Sequence, residues 1–149
     1  MPTHYSGTEA EKRALDLIIK LARAGDAVAQ RTMGAVTEAG LTPTQFGVLE
    51  TLYHLGHLMP SQLAEKHLRS RNNLTVVIDK LEKQGYVKRL RCPNDRRAQW
   101  VDLTELGRAL IERLLPIHVA ALVKDVSVLT TDEQLTLSCL LKKLGRQIA

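Results

Sequence analysis

The sequence predicts a mainly α fold carrying one small β-hairpin, an α+β chain in which helices supply most of the packing. Three observations lead there. Apolar residues recur at helical spacing over most of the chain, while two short runs, 86–90 and 99–103, are rich in aromatic and β-branched residues instead. Aromatics are only 3% of a chain that is 44% hydrophobic, so Leu, Val, Ile and Ala must fill the core, which favours helix on helix. At 149 residues the chain is the size of one compact unit, or of one domain with dimerisation arms.

Residues 1–8 are polar and read as a loose tail. From Glu9 to about Thr37 the pattern is helical, with Ala14, Leu15, Ile18, Leu21 and Ala22 on one face. Gly25-Asp26 is the expected place for a bend or break, because Gly weakens a helix interior and Asp caps a new start. Met33 and Val36 continue the apolar side, and part of this broad face reads as a partner surface. Gly40 closes the helix. Thr42-Pro43-Thr44-Gln45 opens the next, with Thr42 as N-cap, Pro43 at the first helical position and Gln45 at the reciprocal capping-box site. Its buried side is Phe46, Val48, Leu49 and Leu52. After a turn at 56–58, Pro60 starts a short helix with Leu63 and Ala64 facing inward.

Ser70 to Gln84 is the helix on which the reading turns. Ser70 is its expected N-cap, Gly85 its stop, and Leu74, Val77, Ile78 and Leu81 its core face. Tyr86 to Leu90 and Gln99 to Leu103 are the expected strands, joined by a polar, cationic tip from Arg91 to Ala98. A helix followed by a basic-tipped hairpin makes 41–103 a winged helix-turn-helix. Beyond it, Thr104 begins a helix to about Val126, and Pro116 inside it predicts a kink near Glu112 to Pro116. Thr130-Thr131-Asp132-Glu133 caps a last helix with Leu137, Leu140, Leu141, Leu144 and Ile148 at helical spacing. A winged helix of about sixty residues has one small core and cannot cover both stripes. Stripes of that kind mark a partner, so 9–38 and 104–148 are expected to form a dimerisation region.

Charge points to the partner of the central module. Between Arg69 and Arg97 there are nine Lys or Arg against three acids, while the whole chain is only +5. Excess positive charge concentrated on one helix and one hairpin is the footprint of a nucleic-acid binder; the alternative is a solvated basic face. A recognition helix enters the major groove by its N-terminal end. The residues expected there are Arg71, Asn72, Asn73, Thr75, Val76 and Lys80. Asn pairs with adenine, Arg with guanine, and an apolar side chain touches a thymine methyl. The plainer alternative for the two asparagines is solvation of the helix start. At the wing, Arg96 and Arg97 are placed to reach a minor groove, with Asp95 as the expected ion-pair partner of an arginine. Lys83 and Lys88 are assigned to phosphate or solvent.

Leu81-Glu82-Lys83-Gln84-Gly85-Tyr86-Val87, then Asp95-Arg96-Arg97, then Leu103-Thr104-Glu105-Leu106-Gly107 resembles the MarR family of bacterial transcription regulators. The family pattern is LEKxGLV, a wing DxR and a following LTxxG, in this order and at these separations. Leu68-Arg69 departs from it, standing where many members have Gly and a hydrophobe. The resemblance implies a homodimeric, sequence-specific double-stranded DNA-binding regulator, in its expected form a repressor. It also implies a pseudo-palindromic operator and a small aromatic or phenolic effector bound where the dimerisation helices meet the winged domain. It puts the inserted arginine at Arg97.

Other readings are weaker. Cys92 lies in the wing beside Arg91, and Cys139, alternating with leucines, is expected to be a small buried hydrophobe; together they leave a cysteine-based redox regulator as one alternative. A winged helix used for protein assembly is another. His54 and His57 straddle a helix end with no cluster of further ligands, and His118 is isolated, so no metal is expected. No phosphate loop, activated nucleophile or HExxH points to an enzyme, and no cofactor is expected. Without a secretory signal or an apolar run long enough for a membrane, the chain is expected to be cytoplasmic.

Overall fold

A computed structural model describes residues 4–67 and 71–146, and within them the backbone but not the side chain of Arg71. Seven helices and one hairpin follow in order among these residues: α1 Glu9–Thr32, α2 Gly34–Glu38, α3 Pro43–Leu55, α4 Pro60–His67, α5 Arg71–Lys83, β1 Val87–Cys92, β2 Asp95–Leu103, α6 Glu105–Val126 and α7 Thr131–Gly145. The chain divides into two units, one of Met1–Thr32 with Ala120–Ala149 and one of Met33–Val119.

The second unit holds the core. Phe46, Val48, Leu49 and Leu52 of α3 meet Leu63 of α4, Leu74, Ile78 and Leu81 of α5, Val101 of β2 and Ile111 and Leu114 of α6, all almost wholly out of solvent. The inward faces expected from helical spacing are therefore the buried ones, with Val77 half-buried at the edge. α3 starts with the anticipated capping box: the Gln45 N–H donates to Thr42 Oγ1 (3.2 Å) and the Thr42 N–H to Gln45 Oε1 (2.9 Å). The expected Ser70 cap and the Leu68-Arg69 turn lie outside the described residues, as does Ile148.

The first long helix corrects two expectations. α1 runs unbroken through Gly25-Asp26 and ends at Thr32, whose hydroxyl donates back to the Val28 carbonyl (2.8 Å). A glycine costs a helix about 1 kcal/mol, which 24 residues can absorb. The break comes at Met33. Val36, on the short α2 that follows, is fully buried, and Met33 packs against the same core. These two side chains thus complete the winged unit instead of extending the apolar face of α1.

The end of α5 sets the base of the hairpin. Gly85 takes φ +79°, the left-handed conformation that glycine adopts freely. Its N–H donates to the Glu82 carbonyl and that of Tyr86 to the Leu81 carbonyl (both 3.0 Å), which is a Schellman stop. The first turn of α6 then seats on this stop. Thr104 Oγ1 donates to the Gly85 carbonyl (2.5 Å) and accepts the Gly107 N–H (3.1 Å). A Cβ at position 107 would lie 2.0 Å from the Tyr86 carbonyl oxygen, so only glycine allows this approach.

The strands are longer than expected. Pairing runs from Val87↔Leu103 to Arg91↔Gln99 and closes at Cys92↔Asp95, with a bulge between Arg91 and Cys92. The expected tip 91–98 shrinks to Pro93-Asn94, because the backbone of its charged residues keeps extending in strand geometry. Leu58 and Val101 also exchange backbone hydrogen bonds (3.1 and 2.8 Å), adding a one-residue third rung to the sheet.

α6 continues across Pro116 from Glu105 to Val126. α7 opens with the anticipated capping box, Glu133 N–H to Thr130 Oγ1 (3.3 Å) and Thr130 N–H to Glu133 Oε2 (2.8 Å). Within the first unit, Arg31 of α1 pairs with Asp125 of α6 through two hydrogen bonds (2.5 and 3.0 Å). No single helix among the described residues is long and apolar enough to cross a membrane.

Candidate nucleic-acid interface

α5 buries Leu74, Ile78 and Leu81, which leaves the other side of the helix to solvent. Asn72, Asn73, Thr75, Val76 and Lys80 are all exposed there, and so is Lys83 one turn further on. Arg71, the remaining residue expected in this set, has its side chain outside the described residues. Val76 is the unusual member. An apolar residue 54% exposed on a polar face gains nothing from the fold, but suits contact with a thymine methyl. Asn73 and Val76 also line a shallow groove with Leu74, Val77 and Thr44. Thr44 lies in the first turn of α3 and was missed by sequence reasoning, since nothing local says that this turn abuts α5.

The hairpin presents Arg96 and Arg97 to solvent on the first residues of β2, with Arg91 and Lys88 exposed on β1. Asp95 acts differently from expectation. Its Oδ1 accepts the backbone N–H of Arg97 (2.9 Å), and among the described residues it forms no ion pair. A carboxylate two residues before the N–H it accepts makes a local turn clasp, so Asp95 shapes the backbone under Arg97 and leaves the guanidinium outside. At the base of the wing, Trp100 stacks on His57 with ring centroids 4.3 Å apart. Arg108 of α6 lies over the Tyr53 ring at 5.7 Å.

Arg89 is the largest revision to the charge count. It belongs to the basic run in sequence, yet its Nη2 donates to Asp79 Oδ1 (2.6 Å) and its Nη1 to Glu82 Oε1 (2.8 Å). This one arginine engages two of the three acids between 69 and 97, leaving Asp95 as the third. Among the described residues the other cations of the run, Lys80, Lys83, Lys88, Arg91, Arg96 and Arg97, are exposed and form no ion pair.

The remaining candidates lie elsewhere. Cys139 is exposed on α7, against the expectation of burial, because α7 has no buried residue in the single chain; Cys92 is half-buried in β1. His118 is buried edge-on to Phe46, ring centroids 5.0 Å apart. His54 and His57 are exposed. Among the described residues no group of three or more His, Cys, Asp or Glu is arranged to hold a metal. In the first unit, the hydrogen bond from Arg31 holds the Asp125 carboxyl below its ordinary range, with partial burial opposing and the opposite charge adding to it.

Comparison with known proteins bears on the same residues. The model of the MarR family matches residues 41–98, from the residue before the α3 cap to the middle of β2. The chain is 37% identical over 137 residues to an uncharacterized HTH-type transcriptional regulator, YkoM, of Bacillus subtilis, covering 92% of this chain and 89% of that one. It is 34% identical over 134 residues to the HTH-type transcriptional regulator MhqR of the same organism, covering 90% and 92%. Among solved structures it is similar to a MarR family transcriptional regulator from Streptomyces coelicolor in complex with DNA, with a TM-score of 0.85, 25% identity and 97% and 92% of the two chains covered. It is also similar to a mutant of MarR from E. coli complexed with operator DNA, with a TM-score of 0.74, 30% identity and 87% and 96% covered.

Proposed function

This chain belongs to the MarR family, a DNA-binding transcriptional regulator and not an enzyme, and from that premise we propose that it acts as a homodimeric repressor on a pseudo-palindromic operator. The observation that carries the reading is the exposed face of α5, where Asn72, Asn73, Thr75, Val76 and Lys80 stand on one helix that a wing tipped by Arg96 and Arg97 follows. Asparagine, lysine and an exposed valine are a base-reading set, and the wing arginines suit a narrow minor groove. Arg71 joins them by its place in sequence.

Two such helices in a dimer would read half-sites about one helical turn (~34 Å) apart. The dimer is favoured by the exposed Leu17, Ile18, Val123, Leu137 and Leu140 of the first unit, which no side chain of the single chain covers fully. A small aromatic or phenolic effector would act by binding one spacing of the two DNA-reading helices better than another.

The test is binding to duplexes from upstream of the chain's own gene and to scrambled duplexes across a salt series. A palindromic footprint with preference over scrambled DNA is the expected result. Equal, salt-sensitive binding to both would sink sequence-specific reading, and no binding to either would favour an acidic protein partner for the basic face.

A further inference from the structure

We propose that Thr44 is a specificity-determining residue for DNA, closing with Val76 and Val77 a socket that takes a thymine methyl. This rests on the DNA-binding reading above and deepens it. On α5, Val76 and Val77 follow Asn73 by three and four residues, so the three stand together along one edge of the helix. Leu74, fully buried, lies beneath them. The other side of the groove is Thr44, half-buried in the first turn of α3. There the capping box of Thr42 and Gln45 fixes the backbone on both sides of it. Two helices therefore build the groove, and Thr44 is the wall that α5 does not supply.

Size and lining decide what the groove can hold. Its volume of about 260 Å³ falls short of the roughly 300–1,000 Å³ in which small ligands are buried, so it suits an edge of a larger partner. Three of its five lining residues are apolar, although it opens beside the polar Asn72, Thr75 and Lys80. Base pairs show the major groove hydrogen-bond donors and acceptors and a single kind of apolar group, the C5 methyl of thymine. Seating that methyl takes apolar surface of both partners out of water. Cytosine carries only hydrogen at C5 and would leave the groove unfilled. Val76 and Asn73 belong both to the groove and to the face assigned to bases, so the socket continues the DNA-reading surface. Lys80, one turn beyond Val76 and in no ion pair among the described residues, adds the charge that draws a phosphate backbone alongside.

The experiment measures the dissociation constant of the full chain on its footprinted duplex, each thymine of the half-site being replaced in turn by deoxyuridine. The replacement deletes the methyl and keeps every base-pairing hydrogen bond. One thymine should stand out, with a preference over uracil of about fourfold in each half-site, the effect of burying one methyl group. In Val76→Ala and in Thr44→Ala that preference should fall to about twofold or less. Two conservative changes show which part of Thr44 acts. Thr44→Val keeps the shape of the wall and should keep the preference, whereas Thr44→Ser keeps the hydroxyl and should lower it. The opposite order, with Thr44→Val weakening binding to thymine and uracil duplexes alike, would make Thr44 a phosphate contact and overturn the proposal. So would a preference that no variant changes, or none at any thymine. If Thr44→Ala does not fold, the valine and serine variants decide, since both leave the Thr42 capping box in place. A native chain without site preference overturns the DNA-reading function instead, so the two failures are distinguishable.

Discussion

In Met33–Val119, Leu49, Leu52, Leu63, Leu74, Ile78, Leu81 and Ile111 lose all contact with solvent, whereas in the other unit Leu17, Ile18, Val123, Leu137 and Leu140 keep about half of theirs. Both units are built from well-formed helices, and each contains a complete capping box, at Thr42 and at Thr130. What separates them is burial. The first lesson is that helix formation and core formation are separate achievements: caps settle the ends of α7, but they bury nothing. A leucine is worth ~1.5–3 kcal/mol only once it leaves water. The winged unit obtains this within one chain, and the terminal helices obtain it, in the dimer proposed above, from a second copy.

The comparison is broken most severely from the core side. Leu49→Ala should cost ~2–5 kcal/mol of the winged unit's stability, read by urea unfolding followed through Trp100 fluorescence. A loss below about 1 kcal/mol would show that Leu49 is not held in a close-packed site. From the other side, Leu140→Asp should leave that unfolding free energy unchanged and weaken self-association by roughly thirtyfold, about 2 kcal/mol, as sedimentation would register. An unaltered dimer would remove α7 from the interface.

The paired caps sharpen the contrast. Thr42→Ala and Thr130→Ala each delete the same hydrogen bond, worth about 1 kcal/mol. In α3 the loss should appear in the cooperative unfolding of the whole unit. In α7 it should appear, at concentrations where the chain is monomeric, as faster amide exchange confined to that helix. Uniform exchange changes in both variants would mean that the two units unfold together.

The smallest effect concerns pH. Asp125 titrates below the ordinary carboxylate range because Arg31 donates to it. A group depressed on folding contributes stability that is fully present above its unfolded value, about pH 4, and disappears as pH falls through its lower folded value. Acidification should therefore loosen the α1–α6 contact in the first unit, and Asp125→Asn should abolish that part of the pH dependence. Carbon-detected NMR titration of the carboxyl would check it; an unshifted midpoint would contradict the pairing.

Much of this was legible in the sequence because it is local. The capping boxes at Thr42 and Thr130 need only residues three apart, and the stop at Gly85 needs one glycine after an apolar helix. Helical spacing alone picked out Leu74, Ile78 and Leu81 as the buried side of α5, and so left Asn72, Asn73, Thr75, Val76 and Lys80 outside. Tertiary structure decided the rest. Arg89 counted as one more cation of the basic run because a charge count has no direction; its partners lie seven and ten residues away, across a turn whose geometry sets whether they meet. Met33 and Val36 looked like a continuation of α1 until the break at Met33 turned them into another core. Gly107 matters only because α6 descends onto the Tyr86 carbonyl, and Leu58 pairs with a strand 43 residues on. Propensity and capping act between neighbours in sequence, and so could be read from it; close approach acts between neighbours in space, which the fold alone assigns.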